Sequence, residues 1–248
     1  MAKSDRVVFI AAGGLDPSAG AGLAADITAG LRNGARCLPV ATALTVQDYA
    51  AAYAAYPVAP DIIAEQLEAL WMYFRSEVIK IGLAGSVDNA KALADFVHAH
   101  DLKLVLDPVT VSSSGFVLAG EDTAEAIKNL LIPAAFLVTP NALEAEILAE
   151  MIIRTPEQAK AAARVIHNLG AKNVWITGGH LETPGRIIDT LYNGEVFEVM
   201  ISERVAGFAR GTGCAAASAV AAALARGESL PAAVAAARDY AASIIGGN

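Results

Sequence analysis

Short, mainly apolar runs alternate along the chain with longer stretches whose apolar positions recur at helical spacing. Residues 6–13 (RVVFIAAG), 37–47 (CLPVATALTVQ), 77–82 (EVIKIG), 103–108 (KLVLDP), 135–140 (AFLVTP) and 173–179 (NVWITGG) predict strands. Helices are expected at about 20–33, from Pro60 onward, and at 86–100, 121–131, 141–150 and 155–170. Ser86 and Thr155 are candidate N-caps, Pro60 and Pro156 suit a first helical turn, and Gly170 is a candidate C-cap. The segment around Tyr53, Tyr56 and Pro57 reads as a loop, 187–201 as a hairpin about Asn193-Gly194, and two Ala-rich helices close the chain. Apolar strands in alternation with helices predict one α/β domain over residues 1–248, with a central, mostly parallel sheet covered on both faces. Ligands of such sheets bind at the carboxyl ends of the strands.

Composition narrows the function classes. The chain has 248 residues, 55% of them hydrophobic and 18% charged, and much of the apolar content is alanine. No uncharged run approaches the roughly 18 to 20 bulky residues that span a bilayer. No signal peptide is recognisable, and a cytoplasmic location without membrane attachment is expected. The net charge of −8, with no Lys/Arg cluster, argues against a nucleic-acid partner. Cys37 and Cys214 are far apart and belong to no Cys/His cluster, which argues against a disulfide or structural zinc.

Polar and glycine-rich segments follow nearly every strand. At 211–214 (GTGC), two glycines and a cysteine open an uncharged helix; this is either a close-packed turn or an anion site on a helix N-terminus. Asn141 and Glu144 form a capping box or hold hydrated Mg²⁺. Asp107 ends an apolar strand and is either a turn residue or a ligand for metal or phosphate. Asp16 caps the following helix or accepts hydrogen bonds from a substrate; Gln47 is a loop residue or reads the edge of a heteroaromatic ring. His98, His100 and His167 are expected at the surface, and a lone His180 after TGG carries little weight.

Taken in order, AGGLDPSAGAGLAADI, TALTVQD, IKIGLAGS, VLDPVTVSSSG, LVTPNALEAEIL, GGH and GTGCAAASAVAAALARG resemble the hydroxymethylpyrimidine/phosphomethylpyrimidine kinases of thiamine biosynthesis, with a ribokinase-like fold. The resemblance runs from about Val7 to about Ala242. It implies ATP- and Mg²⁺-dependent phosphorylation of 4-amino-5-hydroxymethyl-2-methylpyrimidine or its monophosphate, in a homodimer. Asp16 and Gln47 would hold the ring, with Gly14, Ala21, Leu83 and Val109 lining its pocket. Asp107, Asn141, Glu144, Thr177, Gly179 and Arg210 would serve the nucleotide, and Asp107 and Glu144 the metal. Gly211, Thr212 and Gly213 would form the anion hole. Cys214 would be the base, with a pKa lowered by the helix N-terminus.

The chain departs from the family pattern in several places. Thr177 and Ser113 stand where the family usually has lysines, and Leu83 near a usual methionine. Arg210 replaces a usual histidine and is expected to supply a cation to the polyphosphate. A usual C-terminal Gly-His-Gly-Pro is absent. A pyridoxal-type vitamin kinase and a non-catalytic heterocycle-binding protein of the same fold are the alternatives.

Overall fold

The computed structural model describes residues 7–112, 114–207 and 209–247, so Ser113 lies outside the described residues. The strands are β1 (Val8–Leu15), β2 (Arg36–Gln47), β3 (Ala52–Pro57), β4 (Val78–Ile81), β5 (Lys103–Leu106), β6 (Ala135–Val138), β7 (Val174–Ile176), β8 (Arg186–Tyr192) and β9 (Phe197–Glu203). The helices are α1 (Gly22–Arg32), α2 (Pro60–Phe74), α3 (Val87–Ala99), α4 (Glu121–Ala126), α5 (Ala142–Ala149), α6 (Pro156–Asn168), α7 (Thr212–Ala225) and α8 (Leu230–Ile245).

All nine strands form one sheet in the order β3-β2-β1-β4-β5-β6-β7-β8-β9. Strands β2, β1, β4, β5, β6 and β7 run parallel, while β3, β8 and β9 pair antiparallel. The apolar strands that suggested a two-faced sheet are buried as expected. Ile10 and Ala12 of β1 face one core with Ile63, Leu93, Ala145 and Ile166 of α2, α3, α5 and α6. Phe9 and Ala11 face the other, with Leu23 of α1, Val220 of α7 and Val234 of α8. Alanine suits α7, where every residue from Ala215 to Leu224 is buried: small side chains let it lie close against its neighbours.

Several local expectations hold. Ser86 accepts from the N–H of Asn89 at the start of α3, and Thr155 with Gln158 forms a capping box ahead of Pro156. Others need correction. The segment expected as a loop around Tyr53 and Tyr56 is β3, an edge strand whose alanines and proline carry little strand signal but which pairs with β2 from Ala43 to Gln47. Residues 127–131 continue α4 as a π turn. The C-cap of α6 is Leu169; Gly170 follows it at φ 116°, in the left-handed region. His98 is exposed, but His100 is half-buried and stacked on Trp71, and His167 is half-buried against Tyr192.

From β1 the chain moves outward to β2 and β3, then crosses back to β4 on the other side of β1. The strand order reverses between β1 and β4, and in sheets of this kind such a reversal opens a crevice outside the carboxyl ends of the flanking strands.

Candidate active site

Asp16 follows the last residue of β1 and is 2% exposed. It does not cap α1, whose N-cap is Ala21 with no side-chain hydrogen bond. Its Oδ1 accepts from the N–H of Ser18 at 2.8 Å and from the Ser18 hydroxyl at 2.7 Å, while Oδ2 is buried with no partner. A buried carboxylate oxygen without a donor is costly unless a ligand supplies one. Gln47 ends β2, and its Nε2 donates to Thr45 Oγ1 at 3.0 Å. Gly14 lies against Leu83: a Cβ there would meet the Leu83 Cδ2 at 3.1 Å and the Thr45 Cγ2 at 3.6 Å. Ala21 lies against Gly211, and half-buried Val109 donates its N–H to the Asp107 carbonyl at 2.8 Å.

The GTGC segment opens α7. Gly211 is its N-cap at φ 70°, and a Cβ there would meet the Gly20 carbonyl oxygen at 2.5 Å, so glycine is required. No side chain caps the helix, leaving the first-turn N–H groups open to an anion. A Cβ on Gly213 would meet nothing within 4 Å, so open space lies in front of the turn.

Across the crevice, Asp107 follows β5, is 3% exposed, and has an orphaned buried Oδ2. Of the two readings of Asn141 and Glu144, the capping box is the one seen. Asn141 Oδ1 accepts from the N–H groups of Leu143 and Glu144 at 2.9 and 3.0 Å, and Glu144 Oε2 accepts from Asn141 N–H at 2.9 Å. Burial, followed by the Asp107 charge, also pushes the Glu144 carboxyl up to about 8. Among the described residues no cluster of three or more His, Cys, Asp or Glu side chains forms a metal cage. Two carboxyl groups, one with a free oxygen and one pushed toward protonation by burial and then by its neighbour, fit a hydrated Mg²⁺ that also takes phosphate oxygens.

This arrangement makes a sign-specific prediction. The Glu144 carboxyl keeps its proton to about 8 when folded but ionises near 4.5 when unfolded. Between those pH values the folded state binds more protons, so the stabilising contribution is full below 4.5 and is lost as pH rises through 8. Glu144→Gln, which keeps a capping-box side chain, should flatten that decline and gain up to about 5 kcal/mol at pH 9 relative to the parent. Urea unfolding of the metal-free proteins from pH 5 to 9 tests it; parallel profiles would remove Glu144 as the source.

Thr177 follows β7 and bridges in parallel to Asn141. The turn after it is pinned by Asp189, whose Oδ1 accepts from Gly178 N–H at 2.6 Å while its Oδ2 accepts from Arg238 Nε at 2.6 Å. Gly179 faces open space, beside a groove of about 500 Å³ lined by His180, Leu181, Glu182, Thr183, Pro184 and Arg204.

One expectation is given a geometry and another is overturned. Arg210, expected to supply a cation, points to the Gln47 side. Its guanidinium donates to Gln47 Oε1 at 3.1 Å and to the Asp48 carbonyl, and stands 3.9 Å from Asp16 Oδ2. The thiol of Cys214 is not lowered by the helix N-terminus. Burial pushes it well above its ordinary value; Lys80 pulls the other way, but Asp107 and Asp26 add to the rise.

Sequence reasoning also missed the centre of this charge cluster. Lys80 of β4 is 1% exposed, and its Nζ donates to Asp26 Oδ1 and Oδ2 of α1 at 3.0 and 3.2 Å. Ser218 of α7 donates to the same Asp26 at 2.8 Å, and Asp107 Oδ2 lies 3.8 Å from the ammonium. The signal was a lysine in the middle of an otherwise apolar, four-residue buried strand.

The phosphomethylpyrimidine kinase family profile matches residues 16–248. The hydroxymethylpyrimidine/phosphomethylpyrimidine kinase of Aquifex aeolicus is 36% identical over 94% of this chain and 92% of its own length. The thiamine biosynthetic bifunctional enzyme of Arabidopsis thaliana is 34% identical, and this chain spans 46% of it. Among solved structures, phosphomethylpyrimidine kinase from Clostridium difficile superposes with a TM-score of 0.82 at 30% identity, covering 94% of this chain and 96% of that one. Pyridoxal kinase from Bacillus subtilis, in an ADP complex, gives 0.88 at 30% identity over 95% and 90%. The fold is thus ribokinase-like, and the chain belongs to the phosphomethylpyrimidine kinase family of phosphotransferases.

Proposed function

We propose that this protein transfers the γ-phosphoryl group of ATP to the hydroxymethyl oxygen of 4-amino-5-hydroxymethyl-2-methylpyrimidine, or to the phosphate of its monophosphate. The observation that carries this reading is a buried, donor-less Asp16 Oδ2 beside Gln47, at the same sheet edge as the open N-terminal turn of α7. Asp16 accepts from a ring amino group and Gln47 reads the adjacent ring edge. The N–H groups of Thr212, Gly213 and Cys214 hold the transferred group's oxygens, and positioning of this kind provides most of the rate in phosphoryl transfer. Cys214, as its thiolate, receives the proton of the hydroxymethyl acceptor; the phosphomonoester, largely ionised already, needs no such transfer. Asp107 and Glu144 hold Mg²⁺ through its water, and the metal, when bound, neutralises phosphate charge. The groove beside Gly179 and Arg204 receives the remainder of the nucleotide. A homodimer is part of the same reading, with the exposed Tyr53 and Tyr56 of β3 as an available apolar surface.

The superposition on pyridoxal kinases favours a second reading, phosphorylation of a pyridine alcohol of similar size. An ATP-consumption assay with Mg²⁺ against pyrimidine and pyridine alcohols separates the two. Turnover of the pyrimidine is expected. Turnover of pyridoxal alone replaces the first reading with the second, and none on any compound leaves a binding protein.

A further inference from the structure

Resting on the phosphoryl-transfer reading above, we infer that Arg210 is a specificity-determining residue, favouring an acceptor that already carries a phosphomonoester over the neutral alcohol. Arg210 directly precedes Gly211, the N-cap of α7. Its side chain is only 8% exposed. Contacts to Gln47 Oε1 and the Asp48 carbonyl draw the guanidinium to the ring side of the crevice, 5.9 Å from the centroid of Tyr49. A permanent cation therefore stands between the groups that read the ring and the turn that takes the transferred phosphoryl group. It also orients the reader: the Gln47 amide is fixed with Nε2 on Thr45 and Oε1 on Arg210.

The charge balance of the crevice points the same way. Asp16 and Asp107 line it, and a phosphomonoester adds about −1.5 to −2 at neutral pH. Lys80 is committed to both oxygens of Asp26. The two close acceptors of Arg210 are neutral carbonyl oxygens, and its nearest carboxylate, Asp16, is 3.9 Å away, beyond a hydrogen bond. Its charge is loosely matched, and its planar fork suits phosphate oxygens. A neutral hydroxymethyl group gains no comparable contact.

Steady-state rates with hydroxymethylpyrimidine and with phosphomethylpyrimidine as acceptors test this in the parent, Arg210→Gln, Arg210→Lys and Arg210→His. The last restores the residue that usually stands there in the family. Arg210→Gln should lower kcat/KM for the monoester about 10- to 100-fold, mainly through KM, the range of a charge-assisted contact. The alcohol should lose less, since it forfeits only the contact that holds Gln47, so the monoester-to-alcohol preference should fall at least about threefold. Arg210→Lys should recover part of the monoester's loss, and Arg210→His should move the preference toward the alcohol. Equal losses on both acceptors, in variants that melt with the parent, overturn the inference and make Arg210 a counter-ion for Asp16. If the parent turns over neither acceptor, the phosphoryl-transfer reading fails instead, and the inference falls with it.

Discussion

Lys80→Met should lower the unfolding free energy by about 3–5 kcal/mol, because it strands the Asp26 carboxylate in the core with one hydroxyl donor. The carboxylate is fully buried, and Lys80 supplies two of its contacts and Ser218 the third. Burial opposes the charge on Lys80, but the carboxylates of Asp26 and Asp107 outweigh it, so the ammonium is held protonated. The pair ties three elements together beneath the crevice, β4, α1 and α7. The double variant Lys80→Met/Asp26→Leu should recover most of the lost stability, since it leaves no bare charge, though Ser218 loses its acceptor. It should not recover activity, because Asp107 then loses the cation 3.8 Å from its Oδ2. Urea unfolding and the pyrimidine kinase assay on both variants check this. A single variant within 1 kcal/mol of the parent would show that the pair contributes little to the fold.

The ease of reading each part of the chain follows from where its information lies. Strand β1 and helices α3 and α6 were legible because their caps and apolar periods are local. The edge strand β3 was not: alanines, exposed tyrosines and a terminal proline carry no two-residue alternation, and the strand exists through pairing with β2. The π turn after α4 escaped because a π turn and an α turn present much the same apolar pattern. At the site, sequence order was enough to bring Asp16, Gln47, Asp107, Asn141, Glu144 and GTGC to one edge, since each follows a strand or opens a helix there. It did not show which way a long side chain points. Arg210 sits next to the anion turn in sequence but reaches back over Gln47. Nor did it show the state of the thiol: a helix N-terminus favours a thiolate, while burial beside Asp107 and Asp26 comes from elements distant in sequence.

Cys214→Ser should reduce kcat by about 10²-fold or more, the range for a positioned proton acceptor, with little change in nucleotide binding. Cys214 is the third residue of α7, its thiol among Lys80, Asp107 and Asp26. In the ligand-free protein burial keeps the proton on sulfur, so the thiol is not a standing thiolate that attacks on its own. Its use as a base requires the thiol first to lose its own proton to solvent, an ionisation that Lys80 favours. If sulfur takes the proton, kcat should rise with pH across the alkaline range. A serine hydroxyl, with a far higher pKa, should abolish that limb. Cys214→Asp places a more acidic group at the same point and should move the limb to lower pH while retaining more activity than serine does. The measurement is kcat against pH for the three proteins at saturating ATP and Mg²⁺. A serine variant as fast as the parent, with the same pH profile, would show that the thiol only packs the start of α7 and that the acceptor loses its proton elsewhere.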